Sequence, residues 1–332
     1  MNIPFSMTGN AARAQALRLC LLLAFLPLRA PAETLYAVVL DQGHSLVRFD
    51  SEAPGLLESS VPISGVQGYI HAIDFRPLTE ELFAISAVDL LPSPNLEAVV
   101  YRIAIESGQA ALFSGPILIP GPSNDVALTF DEDLDLLRVV AVGGANLLVD
   151  PDSGDFWEVT SLNPAASAYA MGFDGGGTTY LVDPLAGNLV RLGGVGGSPS
   201  ANGGETEVVG PLGISLPKNP CCAGFDIAAT GQAFLAIEVA GSPELGPIST
   251  PQLFSVDLVT GQATGLGSIG SDPGASAMAL AVAPASSGSS PVAVPAVGRL
   301  GLLVLLASIA VSGALTLRNQ AAHRGRRSEA GA

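Results

Sequence analysis

The densest acidic group in the chain is Asp131, Glu132, Asp133 and Asp135. The spacing Asp131-x-Asp133-x-Asp135 matches the first three ligands of an EF-hand loop, so these three are the candidate metal ligands and calcium the candidate ion. Two features oppose that reading: Leu136 stands where the loop requires Gly, and no helical pattern flanks the run. A solvated turn between two strands accounts for the same residues. His71 stands three residues before Asp74, near the start of a strand, where it could face a central channel. A lone histidine is usually structural, and a site there needs a further residue arriving from another part of the chain. Nucleophile signals are poor, with no G-x-S-x-G elbow and no H-E-x-x-H pair. Ser215-Leu216-Pro217-Lys218 matches S-x-x-K by letters, but that pair works from one face of a helix and Pro217 opposes helix there. Cys221 and Cys222 are adjacent after Pro220 and read as a strained vicinal disulfide in a stiffened loop, or as two thiols. No catalytic residue is nominated, and no cofactor beyond calcium.

The elements that must position these residues are short strands. Residues 128–162 read as four of them, at 128–130, 136–142, 147–149 and 156–162, joined by tight turns such as Asp150-Pro151-Asp152-Ser153-Gly154. Weaker copies lie on both sides. A first element recurs at Ala72-Ile73-Asp74-Phe75, Leu128-Thr129-Phe130-Asp131, Met171-Gly172-Phe173-Asp174, Ala223-Gly224-Phe225-Asp226 and Met278-Ala279-Leu280-Ala281. A second recurs at Leu35-Tyr36, Leu82-Phe83, Leu136-Leu137, Thr179-Tyr180 and Ala233-Phe234. A third strand then ends in a turn closed by Gly, at 50–55, 104–108, 150–154, 183–187 and 257–261. In those turns Asp accepts from nearby backbone N–H groups and Gly supplies positive φ, so the aspartates read as turn formers.

Five copies of a four-strand unit predict an all-β fold, a β-propeller of five four-stranded blades. The copies are offset: the chain begins on a second element at Leu35 and ends on a first element near 278–283, so the two partial copies make one split blade that closes the ring. A β-sandwich or two small β domains is the competing architecture. Residues 90–97 and 241–251 read as insertions between strands, and 193–204 as a flexible Gly/Ser loop.

The ends set an address. Residues 1–32 read as a signal peptide: Arg13 and Arg18, an apolar core at 19–26, and Ala30-Pro31-Ala32 before Glu33. Residues 285–299 read as a Ser/Pro/Gly linker with a sorting motif. Residues 300–317 are an uncharged apolar run near the length of a transmembrane helix, and 318–332 a basic tail whose Arg318, Arg324, Arg326 and Arg327 the positive-inside rule keeps in the cytoplasm. Between them, residues 33–298 hold 6 basic and 29 acidic residues, a net charge near −23. That excludes nucleic acid as a partner, since phosphate contacts need clustered Lys and Arg.

Ile73-Asp74-Phe75-Arg76-Pro77, Leu137-Arg138-Val139-Val140, Asn146-Leu147 and Pro151-Asp152-Ser153-Gly154 resemble the motifs of a bacterial exported domain family of unknown function. The likeness spans roughly residues 35–284 and implies a propeller-like fold with no established activity. The chain departs at Thr129-Phe130-Asp131-Glu132, where the family has Asp-Phe-Asn-Pro. The tail from Val294-Pro295-Ala296 through Gly298-Arg299-Leu300 is similar to C-terminal sorting signals of the IPTL-CTERM and PEP-CTERM kind, with Gly298-Arg299-Leu300 in place of Ser-Glu-Trp. That resemblance implies a membrane sorting protease as a partner and delivery to the cell surface.

Together these features predict an exported, membrane-anchored or surface-sorted propeller that binds or scaffolds without catalysis. The rival is an extracellular propeller hydrolase or lyase acting on glycan or ester, using central Asp, His71 and a metal. Polar side chains converging from three or more copies at one ring end would favour the rival, and an apolar plug the scaffold.

Overall fold

Runs such as Val-Ala-Leu-Thr-Phe at 126–130 and Ala-Phe-Leu-Ala-Ile at 233–237 are buried at every position. Strands with this pattern are covered on both faces. The computed structural model describes residues 32–89, 95–120, 125–217, 222–239, 251–271 and 275–284. Apart from Ala32, the signal segment, linker, apolar run and basic tail read from the sequence lie outside these residues. Among the described residues no helix is long and apolar enough to cross a membrane.

Five antiparallel four-stranded sheets form the blades. Blade 1 joins the last strand to the first three, in the order β20 (Ser276–Val282), β1 (Thr34–Leu40), β2 (His44–Asp50), β3 (Leu57–Pro62). Blade 2 is β4 (Tyr69–Phe75), β5 (Leu82–Asp89), β6 (Asn95–Ile103) and β7 (Ala110–Pro120). Blade 3 is β8 (Val126–Asp131), β9 (Leu136–Ala141), β10 (Asn146–Val149) and β11 (Phe156–Glu158). Blade 4 is β12 (Ala170–Phe173), β13 (Thr179–Asp183), β14 (Asn188–Leu192) and β15 (Thr206–Pro211). Blade 5 is β16 (Ala223–Ile227), β17 (Ala233–Ile237), β18 (Gln252–Val256) and β19 (Ala263–Ser268). The strands β20, β4, β8, β12 and β16 are innermost, and each packs on the next, with β16 against β20 completing the circle. The split blade is therefore real: β1 pairs with β20 from Leu35↔Val282 to Leu40↔Ser276.

The core is distributed over the blade-to-blade seams, one apolar cluster to each. Blades 2 and 3 share Phe83, Ile85, Leu128, Phe130 and Val139. Blades 1 and 2 share Leu46, Ile73, Phe75 and Tyr101, and blades 3 and 4 share Val140, Met171 and Leu181. Blades 4 and 5 share Tyr180, Phe225 and Leu235. The closing seam between blades 5 and 1 is built like the rest, from Leu35, Phe49, Phe234 and Leu253. Full burial of each such side chain contributes about 1.5–3 kcal/mol, so the ring gains as much at its closure as elsewhere.

Two expectations about the repeat need correction. Strand pairing puts Asp74, Thr129, Gly172, Asp226 and Ala281 at one inner-strand position, opposite Phe83, Arg138, Tyr180, Phe234 and Tyr36. Asp131 and Asp174 thus lie two residues beyond Asp74 and Asp226, a slip that keeps the same face of a period-two strand and leaves the apolar pattern matched. The turn at 183–187 joins the second and third strands of blade 4, whereas those at 50–55, 104–108, 150–154 and 257–261 join third and fourth strands. Asp followed by Gly suits either hairpin, and in blade 4 the third-to-fourth connection is the Gly/Ser segment 193–204. That segment contains two 3₁₀ turns, Val195–Gly197 and Ala201–Gly203. As expected, the turn aspartates accept from backbone: Asp150 from Asp152 and Ser153, Asp257 from Val259 and Thr260.

The family-like motif residues lie in the seams. Buried Arg76, just past β4, grips the Asp135 carboxylate of blade 3 with Nε and Nη2, at 2.9 and 2.5 Å, and Asp152 with Nη1 at 2.7 Å. This holds Asp135 in a left-handed conformation at φ 51°. Arg102 lies over the rings of Phe83 and Phe113, 5.3 and 4.4 Å from their centroids, and donates to the Pro151 carbonyl at 3.0 Å. Arg138 is wholly buried and joins blade 3 to blade 4, donating to Asp131 at 3.2 Å, Asn146 at 3.0 Å and Asn202 at 2.7 Å. Asn146 passes the link on to the carbonyls of Thr160 and Ala201.

Candidate functional site

The innermost strand of each blade has no sheet partner on its axial side, so alternate N–H groups face the axis without a ladder acceptor. Two carboxylates meet part of that demand where the inner strands end. Asp74 accepts from its neighbour Phe75 N at 2.7 Å with one oxygen. Its other oxygen accepts from Phe130 N at 2.7 Å and the Thr129 hydroxyl at 3.0 Å on blade 3. Asp226 repeats the device, accepting from Ile227 N at 2.7 Å and, across the closing seam, from Val282 N at 2.6 Å. Burial pushes Asp74 up to about 7 against the opposing pull of these hydrogen bonds. Asp226 is pushed well above the carboxylate range by burial and by the charge of Asp74. Glu132 is raised by burial and by the neighbouring charges of Asp133 and Asp174.

The opposite end, where the inner strands begin, carries a different set. His71 is the extra residue of a β-bulge, since Ile70 pairs with Ser86 and Ala72 with Ile85. Bulges re-aim side chains and are frequent beside sites. Here Nδ1 of His71 lies 3.9 Å from Asp125 Oδ1 of blade 3, with both side chains mostly buried. Asp125 is also hydrogen-bonded to the hydroxyl of Tyr169, ahead of β12 in blade 4. Burial and the Asp125 charge push Tyr169 up to about 12, so it stays a neutral donor at physiological pH. Asp183 faces the same tyrosine and accepts from Ser167 N at 3.2 Å. On the blade 5 side, Glu238 accepts from the Ser276 hydroxyl of β20 at 2.5 Å. Ser276, His71, Asp125, Tyr169 and Glu238 are all half-buried, one from each blade. A line of polar contacts, His71 Nδ1 3.9 Å from Asp125 and Asp125 hydrogen-bonded to Tyr169, spans three blades and presents both donors and acceptors to a ligand.

The predicted site residues are dispersed. His71 and Asp74 share β4 but lie three residues, about 10 Å, apart along it and serve different ends. Asp131 is buried against Arg138, Asp135 is held by Arg76, and Asp133 is exposed. A calcium ion at Asp131, Asp133 and Asp135 would have to compete with two arginines for those oxygens, and no group of three or more His, Cys, Asp or Glu among the described residues is arranged to hold a metal. Cys222 is disulfide-bonded; Cys221 and Lys218 lie outside the described residues. Asp125 and Tyr169 had no distinguishing sequence signal: each sits one residue before an inner strand, a position visible only once strand starts are fixed. A cleft of about 460 Å³ lined by Arg191, Val195, Pro199 and Glu207 lies on the outer strands of blade 4.

No functionally curated protein matches the chain. Among solved structures it is similar to a protein of unknown function from Bacteroides thetaiotaomicron, with 11% identity, TM-score 0.46, and coverage of 78% of this chain and 68% of that one. It is also similar to TolB from Acinetobacter baumannii, with 14% identity, TM-score 0.40, and coverage of 81% and 61%. A third likeness is to an inactive virginiamycin B lyase from Staphylococcus aureus, with 9% identity, TM-score 0.35 and coverage of 70% of each chain. At these scores the likenesses carry no functional argument. The sequence pattern is more specific: matching it over residues 45–281, the chain belongs to the family described as domain of unknown function (DUF4394).

Proposed function

We propose that the protein is an exported binding module that takes its ligand at the axial end where the inner strands begin. The ring of half-buried polar side chains there, one from each blade, locates the site; by itself such convergence favours the enzyme, and what turns the reading to binding is the state of the carboxylates. The reading against catalysis rests on where the carboxylates went. Asp74 and Asp226 are occupied by backbone N–H groups, and Asp131 and Asp135 by arginines. The export signal at 1–32 and the apolar run at 300–317 with its arginines support a domain held outside the cytoplasm by a C-terminal anchor, available to a sorting protease.

A hydrolase or lyase acting on glycan or ester is the second reading, favoured by the His71–Asp125–Tyr169 line from three blades. One experiment separates the two. The purified chain is screened against glycans, esters and amines by thermal shift, and each hit is analysed by mass spectrometry. A hit returned unchanged, with its shift lost in His71→Ala, supports the binding module. Product formation lost in the same variant overturns it in favour of the enzyme. Calcium belongs to the same screen: a rise in melting temperature that disappears in Asp133→Asn would place the ion at the acidic run, and no rise removes it.

A further inference from the structure

Resting on the binding-module reading, we infer that the axial end carrying His71, Asp125 and Tyr169 is a site for a ligand bearing a protonated amine. The first ground is the distribution of charge. The segment 33–298 carries 6 basic against 29 acidic residues. All five arginines among the described residues hold carboxylates away from this end: Arg48 with Glu58, Arg76 with Asp135 and Asp152, Arg102 with Glu81, Arg138 with Asp131, and Arg191 with Glu207. The axial end instead presents Asp125, Asp183 and Glu238, with the histidines His44 and His71 among its described residues. A patch of one sign inside a strongly acidic domain concentrates cations and repels phosphates, sulfates and uronates.

The second ground distinguishes an organic cation from a metal ion. A hard divalent ion needs six or more oxygens at short range, and among the described residues no group of three or more His, Cys, Asp or Glu is placed to start such a shell. An ammonium needs only two or three acceptors and is further held over aromatic faces. Asp125 supplies a carboxylate hydrogen-bonded to Tyr169, with His71 Nδ1 3.9 Å away. Tyr169 adds a hydroxyl and a ring. Tyr69, 56% exposed at the start of β4 and braced edge-on by His44 at 5.8 Å, adds an accessible aromatic face at the same end. The bulge at His71 shifts the register of β4 between Ile70 and Ala72. Among the described residues the blades thus supply acceptors and faces at this end, and no cation of their own beyond the imidazoles of His44 and His71.

Calorimetry on the purified full-length chain tests this with 1,4-diaminobutane and its uncharged analogue 1,4-butanediol. The diamine is expected to bind wild type and the remote surface variant Glu158→Gln alike. Binding should weaken at least tenfold in Asp125→Asn and at least threefold in Tyr169→Phe, and the diol should not bind. Equal losses in Glu158→Gln and Asp125→Asn would reduce the effect to general polyanion attraction and overturn the site, as would equal binding of the diol or no binding of the diamine. If Asp125→Asn does not fold, the His71 imidazole resonances of the wild-type chain decide: movement on adding diamine is expected, and none overturns the proposal. A ligand of other chemistry whose binding is lost in Asp125→Asn removes the amine but keeps the binding module, whereas no ligand sensitive to His71 or Asp125 removes both.

Discussion

Asp74 is a carboxylate surrounded by donors, yet its proton affinity is raised by burial. The sign of the consequence follows from linkage. Its folded value, about 7, lies above the ordinary value of 3.8, so between these pH values the folded state holds a proton that the unfolded chain has released. Stability contributed by this group is therefore greatest below about pH 4, falls as pH rises towards 7, and is level above. Comparing urea midpoints of wild type and Asp74→Asn from pH 4 to 8 isolates the group; a difference that does not change with pH would show that the carboxylate titrates normally. Asp74→Ala is a separate matter, because Phe75 N and Phe130 N then lose their acceptor. Leaving buried donors unmet costs roughly 1–3 kcal/mol each, so a loss of about 2–5 kcal/mol is expected at neutral pH.

At the scale of elements, two contacts set how blades meet. Arg76 is buried, whereas its partners Asp135 and Asp152 are progressively more exposed. The bidentate pair with Asp135 should therefore carry most of the energy, and the pair with exposed Asp152 only about 0.2–1 kcal/mol. Arg76→Ala is expected to cost about 3 kcal/mol, and a double-mutant cycle with Asp135→Ala should return a coupling several times that with Asp152→Ala. The closing seam depends on close approach instead. A Cβ at Gly224 would stand 2.2 Å from Leu280 N and 2.4 Å from Ala279 C on β20, so the two inner strands meet backbone to backbone. Gly224→Ala should force them apart and lower stability by about 3 kcal/mol, while Gly187→Ala, with open space beside it but φ 69°, tests backbone strain alone.

For the whole molecule, closure by β20 is the decisive event. Blade 1 is completed by residues from both termini of the domain, and the seam between blades 5 and 1 is as apolar as the others. Removing residues 276–284 takes away the inner strand of blade 1, exposes the edge of β1 and opens the faces of Leu35, Phe49 and Phe234. The truncated chain should lose its cooperative transition and self-associate, as unpaired strand edges do. Light scattering and thermal melts check this; a soluble monomer with an unchanged midpoint would mean that the ring does not depend on its closure.

The sequence by itself determined the strands, their number and the offset that closes the ring, because apolar period, Asp–Gly turns and copy order are local properties of the chain. It also marked Asp74, Arg76, Arg138 and Asn146 as motif residues, though not their task of joining blades. What only the tertiary structure decided was register and convergence. Phe-Asp at 130–131 and Asp-Phe at 74–75 look alike in one dimension, and pairing alone shows them two residues out of step. Asp131, Asp133 and Asp135 have ligand spacing along the chain, yet distant Arg76 and nearby Arg138 engage two of them. His71 was visible as a lone histidine. Asp125 and Tyr169, 54 and 98 residues further on, become its neighbours only because inner strands of successive blades stand side by side around one axis.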